Sequence, residues 1–112
     1  VKAYGEIFCI DLDGTLTQDS CWTPEQVLHA RPVQAMVDKV NELAQFHFIV
    51  IYTARRDALI EATLAWLRKI GLRYHAISNL KIPTSYYVDD KNLSIEQFLD
   101  LKLEGTPTTK MR

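Results

Sequence analysis

Residues Ile7-Phe-Cys-Ile10 form an unbroken apolar run that stops abruptly at Asp11-Leu-Asp-Gly-Thr-Leu16. A strand that alternates apolar and polar residues can leave one face in water, whereas one that is apolar throughout needs cover on both faces. This run ends in two carboxylates two positions apart, beside the protein's own core, with Gly14 free to turn the backbone after them. Charge so placed costs stability unless a cation or a proton sits there. The run therefore demands a sheet covered by helices and marks its own end as a place for chemistry.

The rest of the chain supplies that cover. A second unbroken run, Phe48-Ile-Val-Ile51, lies in a strand predicted over residues 46–52, and weaker strands are predicted over 74–77 and 86–88. Between the first two strands Pro32 opens a helix with an apolar stripe at Val33, Met36, Val37, Val40, Leu43 and Ala44. A second helix runs from an N-cap at Asp57 to a stop at Gly71, with Leu59, Ile60, Thr63, Leu64, Leu67 and Ile70 in step. A last helix starts at Ser94, paired with Gln97 in a capping box, and runs through Phe98 and Leu101. Such alternation implies an α/β fold with a parallel sheet between helical layers. At 112 residues the chain suits one domain, over residues 1–104, followed by a Thr- and Pro-rich tail over 105–112 that frays.

In parallel sheets ligands bind beyond the carboxyl ends of the strands, where strand order reverses. The polar residues obey that rule: Asp11 and Asp13 follow strand one, Thr53 follows strand two, Asp89 and Asp90 follow strand four, and Lys81 lies in the loop entering it. Four carboxylates at one edge repel one another unless a cation joins them. Mg2+ fits, since it takes one or two carboxylates, keeps waters and binds substrate phosphate. Its expected ligands are Asp11, Asp13 through the backbone carbonyl, and Asp89 or Asp90. With a phosphate ester as substrate, Asp11 attacks phosphorus and Asp13 protonates the leaving oxygen, then deprotonates water. Thr53 donates a hydroxyl hydrogen bond to the phosphoryl group, and Lys81 offsets its charge. Amides from Leu12 to Thr15, Gly14 included, cradle its oxygens.

Asp11-Leu-Asp-Gly-Thr-Leu16, Thr53 after an apolar strand, Lys81, and Tyr87-Val-Asp-Asp90 resemble, in order, the four motifs of the haloacid dehalogenase (HAD) superfamily, across nearly the whole chain. Dehalogenases of that family lack the second Asp, and its transport ATPases replace it. The resemblance thus implies a Mg2+-dependent phosphatase acting through an aspartyl-phosphate. It also implies a three-layer αβα sandwich around a Rossmann-like sheet of strand order 3-2-1-4. Ile51-Tyr-Thr-Ala-Arg55, Trp66-Leu67, Tyr74 and Val88-Asp-Asp90 look most similar to small capless members, such as the capsule-biosynthesis phosphatase-like proteins. The stretches from Leu16 to Pro32 and from Gly71 to Tyr86 are too short for an inserted cap. Two departures stand out: the fifth strand is absent or reduced to the tail, and the Lys81-Ile-Pro83 spacing is tighter than in those relatives.

Several other classes are disfavoured. A net charge of -1, with no basic run longer than Arg55-Arg56, argues against nucleic acid and so against a polynucleotide-end phosphatase. A receiver-like signalling domain carries its phosphorylated Asp at the end of strand three, where this chain has Ile77-Ser78; a non-catalytic regulatory role is the remaining alternative. No apolar run reaches membrane-spanning length, and Cys9 and Cys21 read as free thiols of a cytoplasmic protein. The expected substrate is a phosphorylated small molecule, with a homo-oligomer or a large substrate making good the missing cap. Arg55 and Arg56 are expected at the substrate's anionic groups, with Lys91 a competitor for the role of Lys81. Trp22 is expected to pack locally, Trp66 to lie in the core or an interface, and His29, His47 and His75 to be structural.

Overall fold

The structure, a computed structural model, describes residues 5–80, 86–88 and 95–100. Four strands, β1 (Ile7–Asp11), β2 (Phe48–Tyr52), β3 (Ala76–Ser78) and β4 (Tyr86–Val88), form one parallel sheet in the order β3-β2-β1-β4. That is the strand order the resemblance implies. Four helices accompany the sheet: α1 (Pro24–Leu28), α2 (Gln34–Leu43), α3 (Ala58–Lys69) and α4 (Ile95–Asp100). Helix α1 packs on α3, and α2 on α4. The chain is therefore an α/β protein. The two unbroken apolar runs are its central strands, and Phe8, Ile10, Ile49 and Ile51 have no exposed surface.

Where boundaries differ from the expected ones, a specific hydrogen bond is responsible. Helix α2 begins after Val33, not at Pro32, because Val33 donates to the Leu16 carbonyl and Pro32 bridges Thr17, which keeps both residues extended. Strand β2 starts at Phe48 since the amides of Phe46 and His47 still bond back to Leu43. Strand β3 starts two residues late: the His75 amide donates to the Ile49 carbonyl at 2.8 Å, but the Ile49 amide goes to the His75 ring, Nδ1 accepting at 2.9 Å, in place of a strand carbonyl. Gly71 does stop α3, with φ +72, the Leu72 amide on the Leu67 carbonyl and its own amide on Arg68, the paired bonds of a Schellman end. Helix α1 was not expected from the sequence, although Thr23-Pro-Glu-Gln26 is a full capping box with Pro at the first turn. The Ser94–Gln97 box involves a residue outside the described ones.

Trp66, on α3, is buried and its Nε1 donates to the Ala30 carbonyl at 2.9 Å, tying α3 to the chain just past α1. Trp22 is 81% exposed, so it does not pack locally as expected. Asp19 accepts from the backbone and side chain of Arg31, and these hydrogen bonds hold its carboxyl at about 2. Cys9 is buried, Cys21 is half-buried, and both are free thiols. Among the described residues no helix is long and apolar enough to cross a membrane.

Phe8 is an aromatic hub, stacked on Tyr86 at 4.9 Å and edge-on to Phe98 and to His47. His47 is buried, and neither ring nitrogen has a hydrogen-bond partner among the described residues. Burial pushes its pKa below 6.5, with the Glu6 carboxylate opposing. Below pH 6.5 the unfolded chain therefore takes up a proton that the folded chain refuses, so stability is full above that pH and falls as pH drops. The expected slope is at most about 1.4 kcal/mol per pH unit. Urea midpoints at pH 7.5 and 5.5 check this: His47→Leu should flatten the decline, and an unchanged decline would place its cause elsewhere.

Candidate active site

The parallel register makes the carboxyl ends of β1, β2 and β3 flush. Asp11 lies level with Tyr52, Tyr52 with Ser78, and Ile10 with Val88. Asp11, half-buried at the last position of β1, and Thr53, the first residue past β2, therefore share one edge. Thr53 is buried, and its amide extends the ladder to the Ser78 carbonyl. Asp89 and Asp90 follow Val88 directly in sequence; they, Lys81 and Lys91 lie outside the described residues.

The turn after β1 folds inward on itself. Gly14 has φ +83, which a side chain would strain. The Leu12 amide donates to Tyr52, the Gly14 amide to Thr17 at 2.8 Å, and the Thr15 and Leu16 amides to Leu12. Thr15 is buried. Of the amides expected to cradle phosphate, those of Leu12, Gly14 and Thr15 bond within the chain and that of Asp13 is not used by these bonds. Gly14 itself is exposed.

Arg55 has its partners within the chain. Its side chain is 6% exposed and lies behind the edge: Nη2 donates to Asp13 Oδ1 at 2.7 Å and Nη1 to Thr63 Oγ1 at 2.9 Å. The Thr63 hydroxyl in turn donates a hydrogen bond to the Leu59 carbonyl at 2.7 Å. The Arg55 amide donates to Thr53 Oγ1 at 3.1 Å, so one residue braces both Asp13 and Thr53. Thr63 was assigned to the apolar stripe of its helix; the signal missed there is that a buried hydroxyl needs a partner.

Arg56 is exposed and lines a cavity of about 490 Å³ with Arg55, Asp57, Ile60, Ile77, Ser78 and Asn79, between the start of α3 and the end of β3. Asp57 stands at the N-cap position but does not cap with its side chain, and its φ of +55 with ψ of -128 belongs to glycine's territory. Such a conformation costs about 1–3 kcal/mol in other residues, while glycine's added chain entropy costs up to about 1. Asp57→Gly is therefore expected to raise stability by about 1 kcal/mol in urea unfolding. A lower midpoint would mean that the carboxylate itself holds the loop.

Among the described residues no three His, Cys, Asp or Glu side chains gather as a metal cluster. Asp89 and Asp90 stand outside that set. The residue types present suit a hard cation: Asp11 brings a carboxylate to the last position of β1, and the Asp13 carboxylate is held by Arg55, so its main-chain carbonyl would be the fitting donor. Comparison with protein-family models, curated proteins and solved structures gave no match to the chain.

Proposed function

We propose that this chain is a Mg2+-dependent phosphomonoesterase of the HAD type, a capless Rossmann-like αβα domain working through an aspartyl-phosphate. What supports the reading is the meeting, at one edge of a parallel β3-β2-β1-β4 sheet, of Asp11, Thr53 and an Asp13 braced from behind. An acidic strand end so built is poorly explained by packing alone.

In this mechanism an Asp11 carboxylate oxygen forms a bond to phosphorus as the ester oxygen departs, and Asp13 gives that oxygen its proton. Asp13 then takes a proton from the water that attacks the aspartyl-phosphate, releasing inorganic phosphate and restoring Asp11. Thr53 Oγ1 accepts from the Arg55 amide and keeps its hydroxyl hydrogen to donate to a phosphoryl oxygen. Lys81 offsets the anionic charge. Mg2+, held by Asp11, the Asp13 carbonyl and Asp89 or Asp90, supplies electrostatic stabilisation of the phosphoryl oxygens when bound. The substrate is a sugar phosphate or related metabolite, with its leaving group in the cavity beneath Arg56. A second copy of the chain, or the bulk of the substrate, shuts out water in place of a cap.

The test is hydrolysis of p-nitrophenyl phosphate and of a panel of sugar phosphates, nucleotides and phosphorylated acids, with Mg2+ and with chelator. Turnover that needs Mg2+ is expected. Silence across the panel would favour a regulatory domain instead.

A further inference from the structure

We propose that Arg55 is a positioning residue that fixes Asp13 for proton transfer, and that the site is thereby suited to alkyl phosphate esters. The inference rests on the phosphatase reading above. The contrast in exposure carries it: the Arg55 side chain is 6% exposed and its partner Asp13 is 52% exposed. Arg55 is thus a poor first contact for an arriving phosphate, whereas Asp13, held by Oδ1, keeps the rest of its carboxyl open. The guanidinium is anchored in turn at Thr63, which is bonded to the backbone of α3, so the brace ends on a helix rather than on a loop. Arg55 Nε is buried with no partner among the described residues. A donor left bare costs stability, and here it accompanies a guanidinium directed through its two Nη groups.

Oδ1 accepts from the guanidinium, so the proton that Asp13 gives up is carried on its other oxygen, and a donor fixed in this way matters most for leaving groups that cannot depart without a proton. An alkoxide is such a group; p-nitrophenolate departs as the anion. A brace acting through Asp13 therefore serves alkyl esters selectively, while a phosphate contact would serve both alike.

The experiment compares glycerol 2-phosphate with p-nitrophenyl phosphate in Mg2+ for the wild type, Arg55→Met, Arg55→Lys, Thr63→Val and Asp13→Asn. Arg55→Met should lower kcat on the alkyl ester by about 10²–10³-fold and on the aryl ester by less than about tenfold, with KM little changed. Arg55→Lys, which reaches one of the two partners, should restore part of the loss. Thr63→Val should show the same selectivity at about tenfold, and it carries the test if Arg55→Met fails to fold. Adding Arg55→Met to Asp13→Asn should cost little more than Asp13→Asn alone. Equal losses on both esters, or a loss confined to KM, would overturn the inference while leaving the phosphatase reading intact. A wild type that turns over neither ester, or activity indifferent to Asp11→Asn, would overturn both.

Discussion

Asp11→Asn is expected to lower Mg2+-dependent hydrolysis of p-nitrophenyl phosphate by about 10⁴-fold or more, with the far-UV circular dichroism unchanged. The substitution keeps the shape of the side chain and replaces the attacking oxygen with an amide that does not form an acyl phosphate. It also removes one negative charge from an acidic strand end, and the circular dichroism checks that the fold survives the change. Asp13→Asn should be milder on this aryl ester, because its leaving group needs no proton. The ordering of the two variants is the informative result. Activity that survives Asp11→Asn would remove the nucleophile, and an effect of Asp13→Asn larger than that of Asp11→Asn would reverse the assigned roles.

The second large effect concerns the fold. Trp66→Ala is expected to destabilise the domain by about 4 kcal/mol, since truncating a buried tryptophan typically costs 3–5 kcal/mol. Trp66 is 1% exposed and sits where α3 meets α1, and its indole N–H is the donor to Ala30. The variant loses the ring and also leaves a carbonyl without its bond. Domains of this size are stable by only about 5–15 kcal/mol, so the loss brings the chain near its unfolding threshold. Trp66→Phe keeps much of the volume and should cost about 1–2 kcal/mol. Urea unfolding followed by circular dichroism separates the two; fluorescence would then report only the exposed Trp22. Equal, small losses from both variants would mean that α1 and α3 are held together by other contacts, such as Lys69 Nζ on the Leu28 carbonyl.

The strands were legible because burial on both faces leaves a mark that local bonding does not erase: Ile7–Ile10 and Phe48–Ile51 carry it plainly. Boundaries were less so, for they depend on distant partners, as when Leu16 holds Val33 out of α2. Helix α1 had a readable start that went unread. The candidate site divided in the same way. Asp11 and Thr53 sit where a strand-end rule puts them. Arg55 and Arg56 are adjacent, identical residues, and only the convergence of Asp13 and Thr63 from two other elements separates the buried one from the exposed one. No local pattern encodes that difference.

The flush strand ends have a further consequence for how such a molecule can change. Asp11 and Thr53 are fixed by a hydrogen-bonded ladder, whereas Arg56, Asp57 and Asn79, which line the cavity beside Ile60 of α3 and Ile77 and Ser78 of β3, belong to connecting loops. Loop residues can therefore be exchanged, lengthened or shortened over evolutionary time without retuning the ladder beneath them. That part of the cavity wall is free to drift on a foundation that has little room to move.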